Sequence, residues 1–144
     1  MAKISKSIFI HAPAEKVFGF YVEPTNLPEI WPSLIEVRDV QRSGGKVQSW
    51  RYVYKMAGMK FEGKGETVER IENQRSVTDN EGGGLSARIV TTYTAEEDGT
   101  RLDWDVEYTI PGALLSKLAE PFIRKLNERE AETVLANLKD KMEA

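Results

Sequence analysis

The hydrophobic period of this chain changes once, and that change constrains the fold more than any other feature. From about residue 34 to 110, apolar and aromatic residues recur at every second position, with turn residues at hairpin intervals. After Pro111-Gly112 the spacing becomes helical and stays so to the end. Hairpin-connected antiparallel strands followed by a long helix satisfy both patterns, which predicts an α+β domain. There is no internal repeat, linker or low-complexity tract, and 144 residues suit a single domain over 1–144.

The flanking segments fit this plan. Residues 3–10 read as a strand with Ile4, Ile8 and Ile10 on one face. Ala12-Pro13-Ala14-Glu15 opens a short helix, because proline tolerates a first turn and Glu15 suits the positive end of the dipole. Val17, Phe18 and Tyr21 give that helix its apolar side. Pro24, Pro28 and Pro32 predict a loop or a second short helix carrying Leu27, Ile30 and Trp31. At the other end, Leu115, Leu118, Phe122 and Leu126 are expected to form one helical stripe, continued by Ala131, Val134, Leu135, Leu138 and Met142. Pro121 predicts either a kink or a short helix handing over to a long one. A helix from Pro121 to Met142 spans roughly 33 Å, about the length of a ten-residue strand, so it can lie along the sheet.

Two hairpins can be registered by arithmetic. A turn at Ala57-Gly58 sets Tyr54 opposite Phe61, Tyr52 opposite Gly63, Trp50 opposite Gly65 and Gln48 opposite Thr67. A turn at Asp98-Gly99 sets Tyr93 opposite Trp104, Thr91 opposite Val106 and Ile89 opposite Tyr108. Both pairings collect the apolar residues on one face, which a wrong parity would scramble. Residues 75–81 read as a weaker strand entering Gly82-Gly83-Gly84, with parity unsettled. One face then gathers Trp50, Tyr52, Tyr54, Phe61, Tyr93, Trp104 and Tyr108. Gly63 and Gly65 opposite the large rings allow two readings. They let Tyr52 and Trp50 lie flat and fill the core, or they help bend the sheet away from the last helix and leave a hollow. Buried phenols want hydrogen-bond partners, which a polar group of a ligand would supply.

Composition closes off other chemistry. The absence of cysteine excludes disulfides, thiolate nucleophiles, Fe–S clusters and zinc fingers, a lone His11 removes paired-histidine metal sites, and with His11 expected in a surface or capping role no Ser-His-Asp triad can be built. A formal charge of −3 argues against nucleic acid as the main partner. No run of about 18 apolar residues is present, so no membrane span is expected, and the N-terminus lacks a signal peptide's apolar stretch. A cytoplasmic setting is the expectation. The near-match to a phosphate loop at residues 58–65 ends in Gly65 instead of Ser or Thr and lies in a hairpin, so it reads as β-structure. Gly82-Gly83-Gly84 reads as a turn, and Gly84-Leu85-Ser86-Ala87-Arg88 lacks the last glycine of a nucleophile elbow. His11 is expected in a surface or capping role. Asp103, Asp105 and Glu107 alternate outward. Asp79 has no assigned side; buried, it would have a raised pKa and merit attention as a base.

Several of these segments, taken together, resemble a known superfamily. The opening strand, Ala12-Pro13-Ala14-Glu15-Lys16-Val17-Phe18, then Leu27-Pro28-Glu29-Ile30-Trp31-Pro32, is similar to the signature of the SRPBCC superfamily. That group includes START lipid-transfer domains, polyketide cyclase/dehydrase-like proteins and plant pollen allergens. Gly99-Thr100-Arg101-Leu102 looks like its Gly-Thr-x-Leu turn, and Leu138-Lys139-Asp140-Lys141-Met142-Glu143 resembles the tail of its polyketide cyclase/dehydrase-like branch. The resemblance covers nearly the whole chain. It implies a helix-grip fold: a curved antiparallel sheet of about seven strands wrapped on a long C-terminal helix, with two short helices after the first strand. It also implies a cavity between sheet and helix for a small hydrophobic molecule, such as a lipid, polyketide or quinone.

The expected ligand-binding residues are Trp31, Trp50, Tyr52, Tyr54, Phe61, Tyr93, Trp104, Tyr108, Leu118 and Phe122, with no cofactor and no metal. A binding or transport module is the first functional reading. A cyclase or dehydratase acting in the same cavity is the second, with Tyr52, Tyr54, Tyr93 and Tyr108 as proton-moving groups and Asp79 behind them. An accessory of a redox or quinone system is the third, and an exposed apolar patch near Leu27, Ile30 and Trp31 would favour it. A homodimer is left open.

Overall fold

The computed structural model describes residues 1–144 as one antiparallel sheet, three short helical segments and a long last helix. The strands are β1 (Ala2–Ile10), β2 (Leu34–Ser43), β3 (Lys46–Met56), β4 (Met59–Ile71), β5 (Arg75–Gly82), β6 (Leu85–Glu96) and β7 (Gly99–Thr109). Their order in the sheet is β1-β7-β6-β5-β4-β3-β2, so only β1 leaves its chain neighbour to close the far edge. Between β1 and β2 lie α1 (Ala14–Tyr21) and a 3₁₀ helix (Pro24–Glu29); after β7 come α2 (Gly112–Leu115) and α3 (Glu120–Glu143). This is the expected α+β architecture, with the expected two short helices after the first strand.

The sheet must be curled. Edge strands of a flat seven-stranded sheet would stand about 29 Å apart at 4.8 Å per strand. Yet Ile4 of β1 and Leu34 of β2, on opposite edges, belong to one buried cluster with Trp50, Trp104 and the α3 residues Ala131, Val134, Leu135, Leu138 and Met142. Irregular pairing in β2 (after Leu34, and between Arg38 and Arg42) and in β4 (between Thr67 and Glu69) supplies bends of the kind that β-bulges introduce.

The β3–β4 hairpin has the expected register, with Tyr54 opposite Phe61, Tyr52 opposite Gly63 and Trp50 opposite Gly65. Ala57 and Gly58 form its turn with φ of 48° and 85°. The β6–β7 register differs by two residues: Tyr93 faces Leu102, Thr91 faces Trp104 and Ile89 faces Val106. The turn falls at Glu97-Asp98, with Asp98 itself at φ 64°. Gly99 is needed elsewhere, since a Cβ there would stand 2.3 Å from the Ile10 carbonyl oxygen. A shift of two preserves parity, so the inward faces are unchanged.

The last segment follows the second option that Pro121 allowed. Residues 116–119 interrupt the helix, and Pro121 sits in the first turn of α3, where its missing N–H costs nothing. The interruption resets the helical phase and corrects the expected stripe. Leu114 and Ile123 are fully buried, in a second small core with Met56, Phe61 and Leu85. Leu115 and Phe122 are 43% and 52% exposed. Beyond residue 130 the predicted stripe is buried as expected.

Candidate ligand cavity

A cavity of about 130 Å³ lies between the inner face of the sheet and α3. Its floor is aromatic, and the glycines explain why it is flat. A Cβ on Gly65 would lie 2.2 Å from Cε2 of Trp50, and one on Gly63 would lie 2.5 Å from the Tyr52 hydroxyl. Both rings therefore lie across backbone that has no side chain. The two readings of these glycines hold together: the rings fold down onto them, and a space remains above.

Of the ten residues expected at the site, Trp31, Trp50, Tyr52, Tyr54, Trp104 and Tyr108 line the cavity. The other four do not. Phe61 faces inward but packs in the second core beside Leu114 and Ile123, and Leu118 is half-buried against that core. Phe122 points away because α3 restarts after residue 119. Tyr93 is buried under α1, edge-on to Phe18 at 5.1 Å between centroids, with its hydroxyl 3.1 Å from Ser76 Oγ. The chain's three tryptophans all line the space. Trp31 stands edge-on to both Trp104 (5.3 Å) and Tyr54 (6.3 Å), and Trp104 Nε1 donates to the Tyr21 hydroxyl at 2.7 Å.

Two of the lining residues, Tyr52 and Tyr108, have hydroxyls that are buried without a hydrogen-bond partner. Such groups cost about 1–3 kcal/mol each when nothing pairs with them. Burial, and then the charge of Glu81, pushes the Tyr52 phenol up to about 12. Burial first and the Glu130 carboxylate second raise Tyr54, and burial raises Tyr21 and Tyr93. These phenols stay protonated at neutral pH and act as hydrogen-bond donors, not as bases.

The remaining wall is polar, and the sequence did not announce it. Ser76, Thr78 and Asn80 of β5 face the cavity, which settles the parity of that strand; Thr67 and Arg70 of β4 join them, and Asn127 and Glu130 come from α3. Asp79 consequently lies on the outer face, where Arg88 forks onto it at 2.7 and 2.8 Å and holds its carboxyl below the usual range. It has neither the burial nor the raised pKa of a base. Tyr54 donates to Glu130 Oε1 at 3.3 Å, and the Ser33 backbone N–H reaches the same oxygen at 3.3 Å. His11 is exposed, edge-on to Phe9 at 4.8 Å, and its backbone N–H donates to Glu143. No group of three or more His, Asp or Glu side chains is placed to hold a metal, and no helix is long and apolar enough to cross a membrane.

With this geometry the comparisons agree. The chain belongs to the family described as polyketide cyclase / dehydrase and lipid transport, whose model matches residues 1–143. The fold is similar to that of the Thermus thermophilus protein TTHA0849, at 24% identity and TM-score 0.79 over 98% of this chain and 97% of that one. A START superfamily protein from Mycobacterium smegmatis matches at 18% identity and TM-score 0.79, over 98% and 97% of the two chains. The di-domain ARO/CYC StfQ from the steffimycin biosynthetic pathway matches at 14% identity and TM-score 0.77, over 98% of this chain and 50% of that one. No curated protein matches the sequence. The family supports a ligand-binding or cyclase role.

Proposed function

We propose that this protein binds a small, largely apolar molecule in the cavity between the sheet and α3, as a carrier or sequestering module in the cytoplasm. The observation that carries the reading is open space over an aromatic floor, lined by all three tryptophans and by Tyr52, Tyr54 and Tyr108. At about 130 Å³ the space is near that of a cavity known to hold one benzene ring, so it takes a ring system or a short chain. The half-buried lining residues Val22, Thr67 and Arg70 leave it unsealed, and a longer ligand would extend outward there.

Because every tryptophan lines the cavity, intrinsic fluorescence reports on it alone. Titration with the neutral probe 2-naphthamide should quench or shift the emission and raise Tm, since a ligand that binds only the folded state stabilises it. Ala87→Phe, which fills the space from β6, should abolish both effects. Unchanged fluorescence and Tm at millimolar probe would sink the proposal. Native mass spectrometry of the purified protein then identifies any retained ligand.

A cyclase or dehydratase activity is the second reading, favoured by the Tyr54–Glu130 pair at the cavity wall. The Glu130 carboxylate can take a proton from a bound substrate and return it, with the Tyr54 phenol donating a hydrogen bond that holds it in place. Turnover of a polyketide-like substrate that survives Tyr54→Phe would remove this pair from the chemistry. The segment around Trp31 does not favour the interaction-module reading, because Leu27 and Ile30 are buried.

A further inference from the structure

The polar wall contains a cation that simple alternation would have placed outside. Along a regular β4, Thr67 and Glu69 would share the inner face and Arg70 would point to solvent. The strand instead carries one extra residue at Val68: Thr67 pairs with Thr78, but Glu69 pairs with Val77 and Arg70 with Ser76. The bulge turns Glu69 outward, onto Arg75, and brings Arg70 to the inner face as the only cationic residue lining the cavity.

The guanidinium is held in place but not used up. It stands 5.3 Å from the centroid of the Phe18 ring. Its Nε donates to Glu72 Oε1 at 2.6 Å and its Nη2 reaches Glu72 Oε2 at 3.5 Å, while Nη1 makes no hydrogen bond within the chain. Lys46 Nζ lies 3.7 Å from the same Glu72 carboxylate, so the three groups together carry one net positive charge. Ser76, the partner of Arg70 across the strands, lines the same cavity, as do Thr67 and Thr78. The one acidic lining residue, Glu130, is on α3 and already accepts from Tyr54 and Ser33.

We infer that the cavity selects amphipathic carboxylates, the anionic group on Nη1 of Arg70 and the apolar body over Trp50 and Tyr52. This rests on the ligand-binding reading above and adds the charge of the ligand to it. A guanidinium oriented by one carboxylate on its outer side and open on another is arranged to take a second anion.

The test pairs 2-naphthoate with neutral 2-naphthamide, titrated against the wild-type protein, Arg70→Met and Arg70→Lys by tryptophan fluorescence and calorimetry. The wild type should bind naphthoate about tenfold or more tightly than naphthamide. Arg70→Met should erase that preference, and Arg70→Lys should keep part of it. Equal affinity for the two probes in the wild type, or a preference that survives Arg70→Met, overturns the anion claim and leaves the cavity reading intact. Failure of both probes to bind the wild type overturns the two together. Should Arg70→Met not fold, Glu72→Gln decides: it frees two more donors, so naphthoate should bind more tightly, and unchanged or weaker binding rejects the inference.

Discussion

Gly65 has no side chain because Trp50 occupies the place where one would go. A methyl group there would stand 2.2 Å from Cε2 and 2.4 Å from Cζ2 of the indole, well inside contact. Gly65→Ala should therefore destabilise the protein by about 1–3 kcal/mol despite alanine's milder cost in a strand, because Trp50 must leave its place. Urea denaturation measures the loss, and a shifted emission maximum reports the displaced ring. The opposition of Trp50 with Gly65 and of Tyr52 with Gly63 was legible from period two and one turn. The bond from Trp104 to Tyr21 was not, because it joins β7 to α1 across 83 positions and no local pattern encodes it. Asp79 illustrates the same limit: its side depends on how β5 docks between β4 and β6, not on its own neighbours in sequence.

Among the elements, the departures from the sequence reading have local causes. The β6–β7 turn moved back by one residue, and the register with it by two, because Gly99 serves the close approach to β1, leaving Asp98 to take the left-handed backbone that glycine normally supplies. The β4 bulge leaves no mark in a sequence where Thr67 and Glu69 alternate correctly, so the inward cation at Arg70 went unread. The break before α3 shifts the phase of the apolar stripe by one residue, from Phe122 to Ile123. Ile123→Ala should consequently cost about 2–5 kcal/mol and Phe122→Ser about 0.5 kcal/mol or less, compared by chemical denaturation. The 3₁₀ helix is tied to β2 by Glu23, which accepts from Thr25 and pairs with Arg42 at 2.8 Å. Arg42, and then Thr25, hold its carboxyl below the usual range. A depressed carboxyl stabilises the fold above its unfolded pKa, near 4.3, and loses that contribution as pH falls through the folded value. The Tm difference between wild type and Glu23→Gln should thus be positive at pH 6 and shrink toward pH 3; a gap constant across that range contradicts the linkage.

The fold is clasped at its end by contacts that bring the two ends of the sequence together. Lys139 Nζ donates to the Phe9 carbonyl at 2.8 Å, Lys16 Nζ to the Met142 carbonyl at 2.8 Å, and the His11 backbone N–H to Glu143 at 2.8 Å, with Met142 buried among them. Removing residues 140–144 should lower stability by about 2–4 kcal/mol, from lost burial of Met142 and lost hydrogen bonds, read as a lower urea midpoint. The helix-grip layout itself was readable because a single change of period separates sheet from helix. The contents of the cavity wall were not, because they are set by β5 docking and by one bulge. The edge pairing of β1 with β7 has a kinetic consequence. Ala2 meets Tyr108 and Ile10 meets Thr100, so loops of about ninety to a hundred residues must close before that seam exists. A topology so rich in distant partners belongs among the slow two-state folders, in the millisecond-to-second range. On the ribosome the first strand must wait, unpaired, until the seventh emerges.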